Sequence, residues 1–213
     1  MPTTDEILAG TSEIASKGIA FAIAWHIAIA VVVIALIAGF RPMERSARSA
    51  IPALLLSVSV FATVFNNPFN ALLLVAGGGL LIAFAQSDGA QKVTRAPAWE
   101  FWAGGVLIIY GSFYPHFLGP ASPEYLYAAP VGLLPCPSLS VAIGFALVGN
   151  LGTRNRPWGV LLAGLGLFYG LYGMFKLGVI LDAGLLLGSL LMMATSLSRH
   201  EQMGSRELRR RAL

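Results

Sequence analysis

The first apolar run of the chain extends from residue 19 to residue 40 and contains no lysine, arginine, aspartate or glutamate. That length is enough to cross the hydrocarbon core of a bilayer, which takes about 20 residues of α-helix. Because backbone N–H and C=O groups cannot stay unpaired in lipid, such a segment must be helical. Across the whole chain, 56% of residues are hydrophobic and 11% are charged. Soluble domains carry about 25% charged residues, so the sequence predicts an all-α, polytopic membrane helical bundle.

Apolar runs separated by proline, glycine, asparagine and charged residues predict seven transmembrane helices. The predicted spans are residues 19–40, 51–64, 68–85, 101–117, 138–151, 158–174 and 179–196. The second and third form one apolar stretch that is too long for a single span, and Asn66, Asn67 and Pro68 interrupt it. Proline has no amide proton and disfavours helix at the residue before it, so we expect the chain to turn there. The alternative is that the second and third predicted spans form one kinked, re-entrant pair of helices.

The basic residues test this count independently, because lysine and arginine gather in cytoplasmic loops. With seven spans and the N-terminus outside, twelve of the 14 basic residues lie on the cytoplasmic side. These twelve are Arg41, Arg45, Arg48, Lys92, Arg95, Arg154, Arg156, Arg199, Arg206, Arg209, Arg210 and Arg211. Adding or removing one helix scrambles the pattern. The sequence therefore predicts a multi-pass protein of the inner (plasma) membrane, with its C-terminus in the cytoplasm.

Residues 1–213 are expected to form one membrane domain with three segments outside the spans. Residues 1–17 predict an amphipathic surface helix, since Thr3 and Glu6 have capping-box spacing and no basic region of a cleaved signal precedes the first span. Residues 118–137 form a long, proline-rich outer loop without lysine or arginine, expected to fold back on the bundle as a cap or re-entrant piece. Residues 197–213 form a basic tail, typical of contact with anionic lipid rather than nucleic acid.

Cys136 is the only cysteine in the chain and lies between Pro135 and Pro137. One interpretation is a rigid turn that starts the fifth span, with Ser138 as its N-cap. The other is a metal site, because a thiolate near a helix N-terminus binds Cu(I) or Zn(II). Its nitrogen partners would be His116 and His26. No C-x-x-C or H-x-x-x-H spacing supports a metal, so the structural turn is the expected role.

Polar residues inside the predicted spans are few, and ionisable residues at such positions are functional candidates by default. The candidates for lining a substrate path beneath the outer loop are His26, Asn66, Asn67, Asn70 and Asp182. Two of them also have simpler interpretations. His26 fits a hydrogen bond to a neighbouring helix. Asp182 fits an ion pair with Lys176, although a carboxyl one turn inside the membrane also suits proton transfer.

Close helix packing is predicted at the end of the chain. Gly166 with Gly170, and Gly184 with Gly188, form G-x-x-x-G steps that let two helix backbones approach each other. We expect the last two spans to pack as a hairpin. The sequence leaves open whether these glycines face each other, another subunit or a thin substrate path.

Several features of the chain occur together in one known family. They are the Asn67-Pro68 turn, Tyr114-Pro115, and Gly132 followed by Pro135-Cys136-Pro137 and Ser138. In these the chain resembles an uncharacterised family of small polytopic bacterial inner-membrane proteins, classified as a domain of unknown function. The resemblance implies the polytopic fold and brings no activity, cofactor or partner with it.

The sequence favours a protein that is not an enzyme. It contains no paired inward carboxylates, no nucleophile with a base at recognisable spacing, no nucleotide-binding glycine loop and no paired histidines for haem. Three functions fit. One is a small-solute or ion permease with a path under the outer loop and between the glycine-rich spans. The second is an accessory subunit of a larger membrane complex, with a filled interior and an apolar flank. The third is a metal-handling protein that uses Cys136. The permease is favoured because a capped, asymmetric bundle suits a path.

Overall fold

The structure, a computed structural model, describes residues 3–86, 91–115, 117 and 123–211, with side chains up to Ser198. Within these ranges the regular secondary structure is helical and no strand is formed. The predicted all-α class is therefore confirmed.

In chain order, the α-helices of the described residues are α1 (Thr4–Lys17), α2 (Ile19–Ile37), α3 (Glu44–Ala50), α4 (Pro52–Val64), α5 (Pro68–Ala85), α6 (Ala98–Ser112), α7 (Tyr125–Ala128), α8 (Pro135–Val148), α9 (Leu151–Arg154), α10 (Arg156–Leu171) and α11 (Asp182–Arg211). A π-helical turn, Tyr172–Lys176, extends α10. Each predicted span overlaps one helix of this series.

Four helical segments are long and apolar enough to cross a membrane: Ile19–Ile37, Glu44–Val64, Pro68–Ala85 and Arg156–Lys176. They indicate a membrane-associated protein. The helix α8 and the part of α11 up to Ser198 are apolar but shorter. At about 1.5 Å per residue, α6 and α8 extend roughly 21–23 Å, less than the ~30 Å of a typical hydrocarbon core.

The turn predicted between the second and third spans is confirmed. Asn66 has a φ of +53°, in the left-handed region that asparagine tolerates. The Asn67 side chain then caps α5 by accepting a hydrogen bond from the Asn70 amide at 3.2 Å, and Pro68 occupies the first helical position. The start of α10 repeats this design, since the Asn155 side chain accepts from the Trp158 amide at 3.1 Å.

The fifth span begins one turn earlier than predicted, so the assignment of Ser138 as its N-cap is wrong. The helix α8 begins at Pro135, with Leu134 in the N-cap position. The Ser138 hydroxyl donates to the Leu134 carbonyl at 2.6 Å and accepts from the Gly132 amide at 2.8 Å. Proline is tolerated at the start of α8 because the first amides of a helix have no intrahelical acceptor. Cys136 is thus part of the first turn of α8.

The helix α8 forms the centre of the bundle. Almost all of its residues are buried, and it packs against α4, α6, α10 and α11. The helix α2 lies at the periphery, where only Ala22 and Ile29 are buried. A chain of two hydrogen bonds attaches it: the Trp25 indole donates to Ser57 at 3.0 Å, and the Ser57 hydroxyl donates to the Gly132 carbonyl at 2.7 Å.

The helix α1 covers one end of the bundle, the end at which α6 finishes and α8 and α11 begin. Its capping box is present, with Thr3 and Glu6 bonded reciprocally at 3.3 and 2.8 Å. Ser12 donates to the carbonyl of Phe117 at 2.9 Å. Thr4 donates to the carbonyl of Lys176 at 3.4 Å. The helix therefore bridges segments that follow α6 and precede α11.

The described part of the outer loop lies against the same end. Its residues Val131, Leu133 and Leu134 are at most 2% exposed, so this stretch folds back on the bundle. Residues 118–122 of the loop lie outside the described residues.

A network of charged and polar side chains holds the opposite end together. Arg48, which is fully buried, donates to Glu44 at 3.1 Å and to the carbonyl of Leu151 at 3.1 Å. Arg154 donates to the other carboxylate oxygen of Glu44 at 2.6 Å and to Gln91 at 2.8 Å. The network thereby joins α3, α9 and the segment before α6. From the same end, the backbone of α11 continues as helix to Arg211, through the predicted tail.

Candidate functional site

A buried carboxyl group lies beneath α1 and the outer loop. Asp182, the first residue of α11, is 1% exposed. The hydroxyl of Tyr114, also fully buried, donates to its Oδ1 atom at 2.6 Å. The Tyr114 ring packs edge-on against Tyr110 at 5.5 Å and stacks with Phe117 at 6.2 Å. Since Phe117 is held by α1, the site is connected directly to the helix that covers it.

Cys136 belongs to this site. Its thiol interacts with the Asp182 carboxyl. It is also close enough to Tyr110, Tyr114 and Tyr169 to interact with them electrostatically. These five residues come from α6 and its C-terminal extension, α8, α10 and α11. We call this group the Asp182 site.

Backbone geometry gives the carboxyl group room. An alanine Cβ at Gly173 would overlap Oδ2 of Asp182. Gly173 belongs to the π-helical turn that ends α10, and such turns are frequent at functional sites. The carboxyl also lies close to the N-terminal turns of α8 and of its own helix α11. Both helix dipoles favour negative charge at this position.

The electrostatic situation of Asp182 is unusual for a buried carboxyl group. The predicted ion pair with Lys176 is not formed, and none of the ion pairs in the described part of the chain includes Asp182. Its partners are instead a phenol and a thiol, which are neutral donors. Burial makes an ionised carboxylate costly at such a place, and the two helix N-termini offset part of that cost. The site has the chemistry to hold and release a proton.

Two of the predicted path residues have structural partners that account for them. Asn70 accepts a hydrogen bond from the Tyr169 hydroxyl at 2.9 Å and so borders the Asp182 site. His26 lies on α2 with Nδ1 2.8 Å from the Ala22 carbonyl and Nε2 2.6 Å from the Ser112 carbonyl. Both ring nitrogens of His26 therefore face carbonyl oxygens of α2 and α6, as the simpler interpretation expects.

The five candidates do not line one common cavity in the described structure. Asn66 is exposed at the turn before α5, and the Asn67 side chain is used as a helix cap. Asp182 and Asn70 are the two candidates that lie in or beside the same polar cluster, since Asn70 accepts from Tyr169, which interacts with Cys136.

The metal site suggested for Cys136, His116 and His26 has no support among the described residues. Within them, no group of three histidine, cysteine or acidic side chains is close enough to hold a metal ion. His26 is bonded to carbonyls, and His116 lies outside the described residues. For Cys136 the partner that the structure provides is Asp182.

The glycines of the last two spans are divided between two neighbours. Gly166 faces Ser189 of α11, and a Cβ added at Gly170 would lie 3.0 Å from the amide nitrogen of Leu186. Gly184 and Gly188 face α6 instead, at Tyr110 and Leu107. Intramolecular packing, one of the three interpretations left open, therefore accounts for all four.

Sequence reasoning did not identify Tyr110, Tyr114 and Tyr169 as members of the site. The available signal was the spacing of Tyr110 and Tyr114, four residues apart and therefore on one helix face. Comparison with family models, curated proteins and solved structures gives no significant match. The family resemblance accordingly stays a prediction, and the case for a function rests on the site.

Proposed function

We propose that this chain is an ion permease of seven transmembrane helices that conducts protons, and that Asp182 is the group that holds the proton in transit. The observation that carries the proposal is the burial of Asp182 under a covered end of the bundle, with a phenol and a thiol as partners in place of a cation. A carboxyl group of this kind costs stability, which a proton-carrying role explains.

The proposed topology has the N-terminus outside and the C-terminus in the cytoplasm of the inner membrane. Support comes from the basic residues of alternate loops and from the coincidence of each predicted span with a helix. The short helices α6 and α8 fit if the bilayer thins around them, at a modest cost per ångström. The basic tail, residues 197–213, would then meet anionic lipid.

Protease protection of terminal epitope tags tests this topology. We expect protease added to intact spheroplasts to remove an N-terminal tag, because an odd number of spans places the two termini on opposite sides. A C-terminal tag should be cut only after lysis. If both tags are protected, or both are cut, the number of spans is even and seven is wrong.

Proton uptake by liposomes tests the function. Purified protein is reconstituted with a pH-sensitive dye inside, and a potassium gradient with valinomycin drives protons inward. We expect uptake well above that of protein-free liposomes. Asp182→Asn should lower uptake to the protein-free rate, because the amide keeps the size of the side chain but cannot bind and release a proton.

The matched control is Glu13→Gln on α1, since Glu13 is an exposed acid paired only with Lys17 at 2.6 Å. This variant should conduct as the natural sequence does. Wild-type protein that conducts no faster than empty liposomes, or an Asp182→Asn variant that conducts normally, would contradict the proposal.

An accessory subunit of a membrane complex is the second candidate. The observation in its favour is a filled interior combined with an apolar flank. The cleft lined by Glu100, Asn150 and Thr195 has no room for a water molecule. On the flank, α2 exposes Ile27, Val31, Ile34 and Ile37 by 59–81%. Failure of the conductance test, together with a stoichiometric membrane partner in gentle detergent, would favour this function.

A further inference from the structure

The helices α10 and α11 are antiparallel and meet in three layers that repeat every seven residues. On the α10 side, including its π-helical turn, the layers contain Gly159, Gly166 and Gly173. The residues opposite them on α11 are Ser196, Ser189 and Asp182, respectively. In every layer, an alanine Cβ at the glycine position would overlap a side-chain oxygen of α11. We call the three facing residues of α11 the polar stripe.

The two serines of the polar stripe differ in their hydrogen bonding. Ser189 donates to the carbonyl of Leu185, one turn earlier on the same helix, at 2.7 Å. Ser196 is 1% exposed, and its hydroxyl has no partner among the described residues. This hydroxyl points into the contact between Gly152 of α9 and Gly159 of α10. A buried hydroxyl without a partner is unfavourable, so simple packing does not explain a serine where alanine would fit.

The inner end of the polar stripe adjoins a closely packed cleft that has no room for a water molecule. Gly152, which contacts the Ser196 hydroxyl, is one of the residues that line it. The polar or charged residues that line this cleft are Glu100, Asn150, Thr153 and Thr195. Glu100 is 1% exposed. The polar stripe thus runs between two buried carboxyl groups, Asp182 at the covered end and Glu100 at the opposite end.

We propose that the polar stripe is the route of proton conduction, and that the Ser196 hydroxyl is the group that binds the proton at the end of the stripe nearest the cleft. This inference rests on the proposed function and adds the route and a second site. Protons enter at Asp182, pass Ser189, and reach Ser196 and the cleft beside it. The other candidates, His26, Asn66, Asn67 and Asn70, have no part in the route.

The contact between α10 and α11 along the polar stripe restricts which solutes can pass. Asp182 and Ser196 are separated by fourteen residues, or about 21 Å along the helix, which is most of a hydrocarbon core. The layers are in contact, so conduction requires α10 and α11 to separate slightly and admit a single file of water. Glycine on one side keeps that file free of obstructing side chains. A passage of this width suits protons, and larger solutes would need the hairpin to come apart.

Substitution of single hydroxyl groups tests the route in the liposome assay. Ser196→Ala removes no hydrogen bond within the described structure, so the melting temperature should be unchanged. We expect proton uptake nevertheless to fall about tenfold, because the proton loses the hydroxyl oxygen of the third layer of the polar stripe. Ser189→Ala should lower uptake in the same direction.

The control is Ser198→Ala, two residues further along α11, where the exposed hydroxyl bonds to the Ala194 carbonyl at 2.8 Å. This variant should conduct normally. Normal uptake by both Ser196→Ala and Ser189→Ala, with Asp182→Asn inactive, would overturn the route and leave the proposed function intact. Normal uptake by Asp182→Asn as well would overturn the proposed function itself. If Ser196→Ala melts at a lower temperature, proton uptake by Ser189→Ala alone decides whether the polar stripe is the route.

Discussion

Gly104→Ala is expected to lower the melting temperature of the detergent-solubilised protein by roughly 5–10 °C. The added Cβ would lie 2.6 Å from the carbonyl oxygen of Gly144 and 2.9 Å from the amide nitrogen of Val148. Both atoms belong to the backbone of α8, which cannot rotate away as a side chain can. Overpacking costs about 1–3 kcal/mol, and in a chain of this size each kcal/mol shifts the melting temperature by about 2–4 °C.

The neighbouring residue supplies the control. Nothing lies within 4 Å of a Cβ added to Gly105, so Gly105→Ala should keep or raise the melting temperature, since alanine favours helix over glycine by up to ~1 kcal/mol. Heating followed by size-exclusion chromatography measures both variants. Equal melting temperatures would mean that α6 and α8 are not in backbone contact.

Arg48→Ala is expected to destabilise the protein by about 3–5 kcal/mol, the typical cost of breaking a buried ion pair from one side. The substitution leaves Glu44, which is 4% exposed, with Arg154 as its remaining charged partner, and leaves the Leu151 carbonyl without this donor. Because the network joins α3, α9 and the segment before α6, several connections loosen at once.

Arg45→Ala is the matched control, three residues away on the same helix. Arg45 is exposed and bonds to Gln86 at the surface. A contact of this kind contributes at most about 1 kcal/mol. Urea or heat denaturation of both variants in detergent gives the comparison. An Arg48→Ala variant as stable as Arg45→Ala would show that the buried network contributes little.

Local sequence signals predicted the positions of the helices well. The turn at Asn66–Pro68 and the capping box of Thr3 and Glu6 depend on neighbouring residues only, so the sequence is sufficient to identify them. The start of α8 was displaced by one turn because Ser138 looked like an N-cap. Its hydroxyl is instead engaged by the amide of Gly132, and the resulting loop geometry depends on how the chain returns to the bundle.

The candidate site was only partly predictable. Asp182 stood out as an acid at the edge of an apolar run, and Cys136 as a cysteine between prolines. Their proximity depends on the packing of α8 against α11, which no spacing within the sequence reports. The sequence does contain the repeat seen in the polar stripe. Gly159, Gly166 and Gly173 are spaced seven residues apart, and so are Asp182, Ser189 and Ser196. The G-x-x-x-G pattern does not include it, because that pattern compares residues four apart.

The hydrogen bonds that hold α2 also determine when the bundle can close during synthesis. Trp25 is joined through Ser57 to Gly132, and His26 contacts the Ser112 carbonyl. Synthesis adds roughly 5–20 residues per second, so these later partners emerge several seconds after α2 has been made. The helix α2 remains without these partners meanwhile. Its apolar surface on all sides, with a mean hydropathy of 2.7, suits it to that interval without its partners.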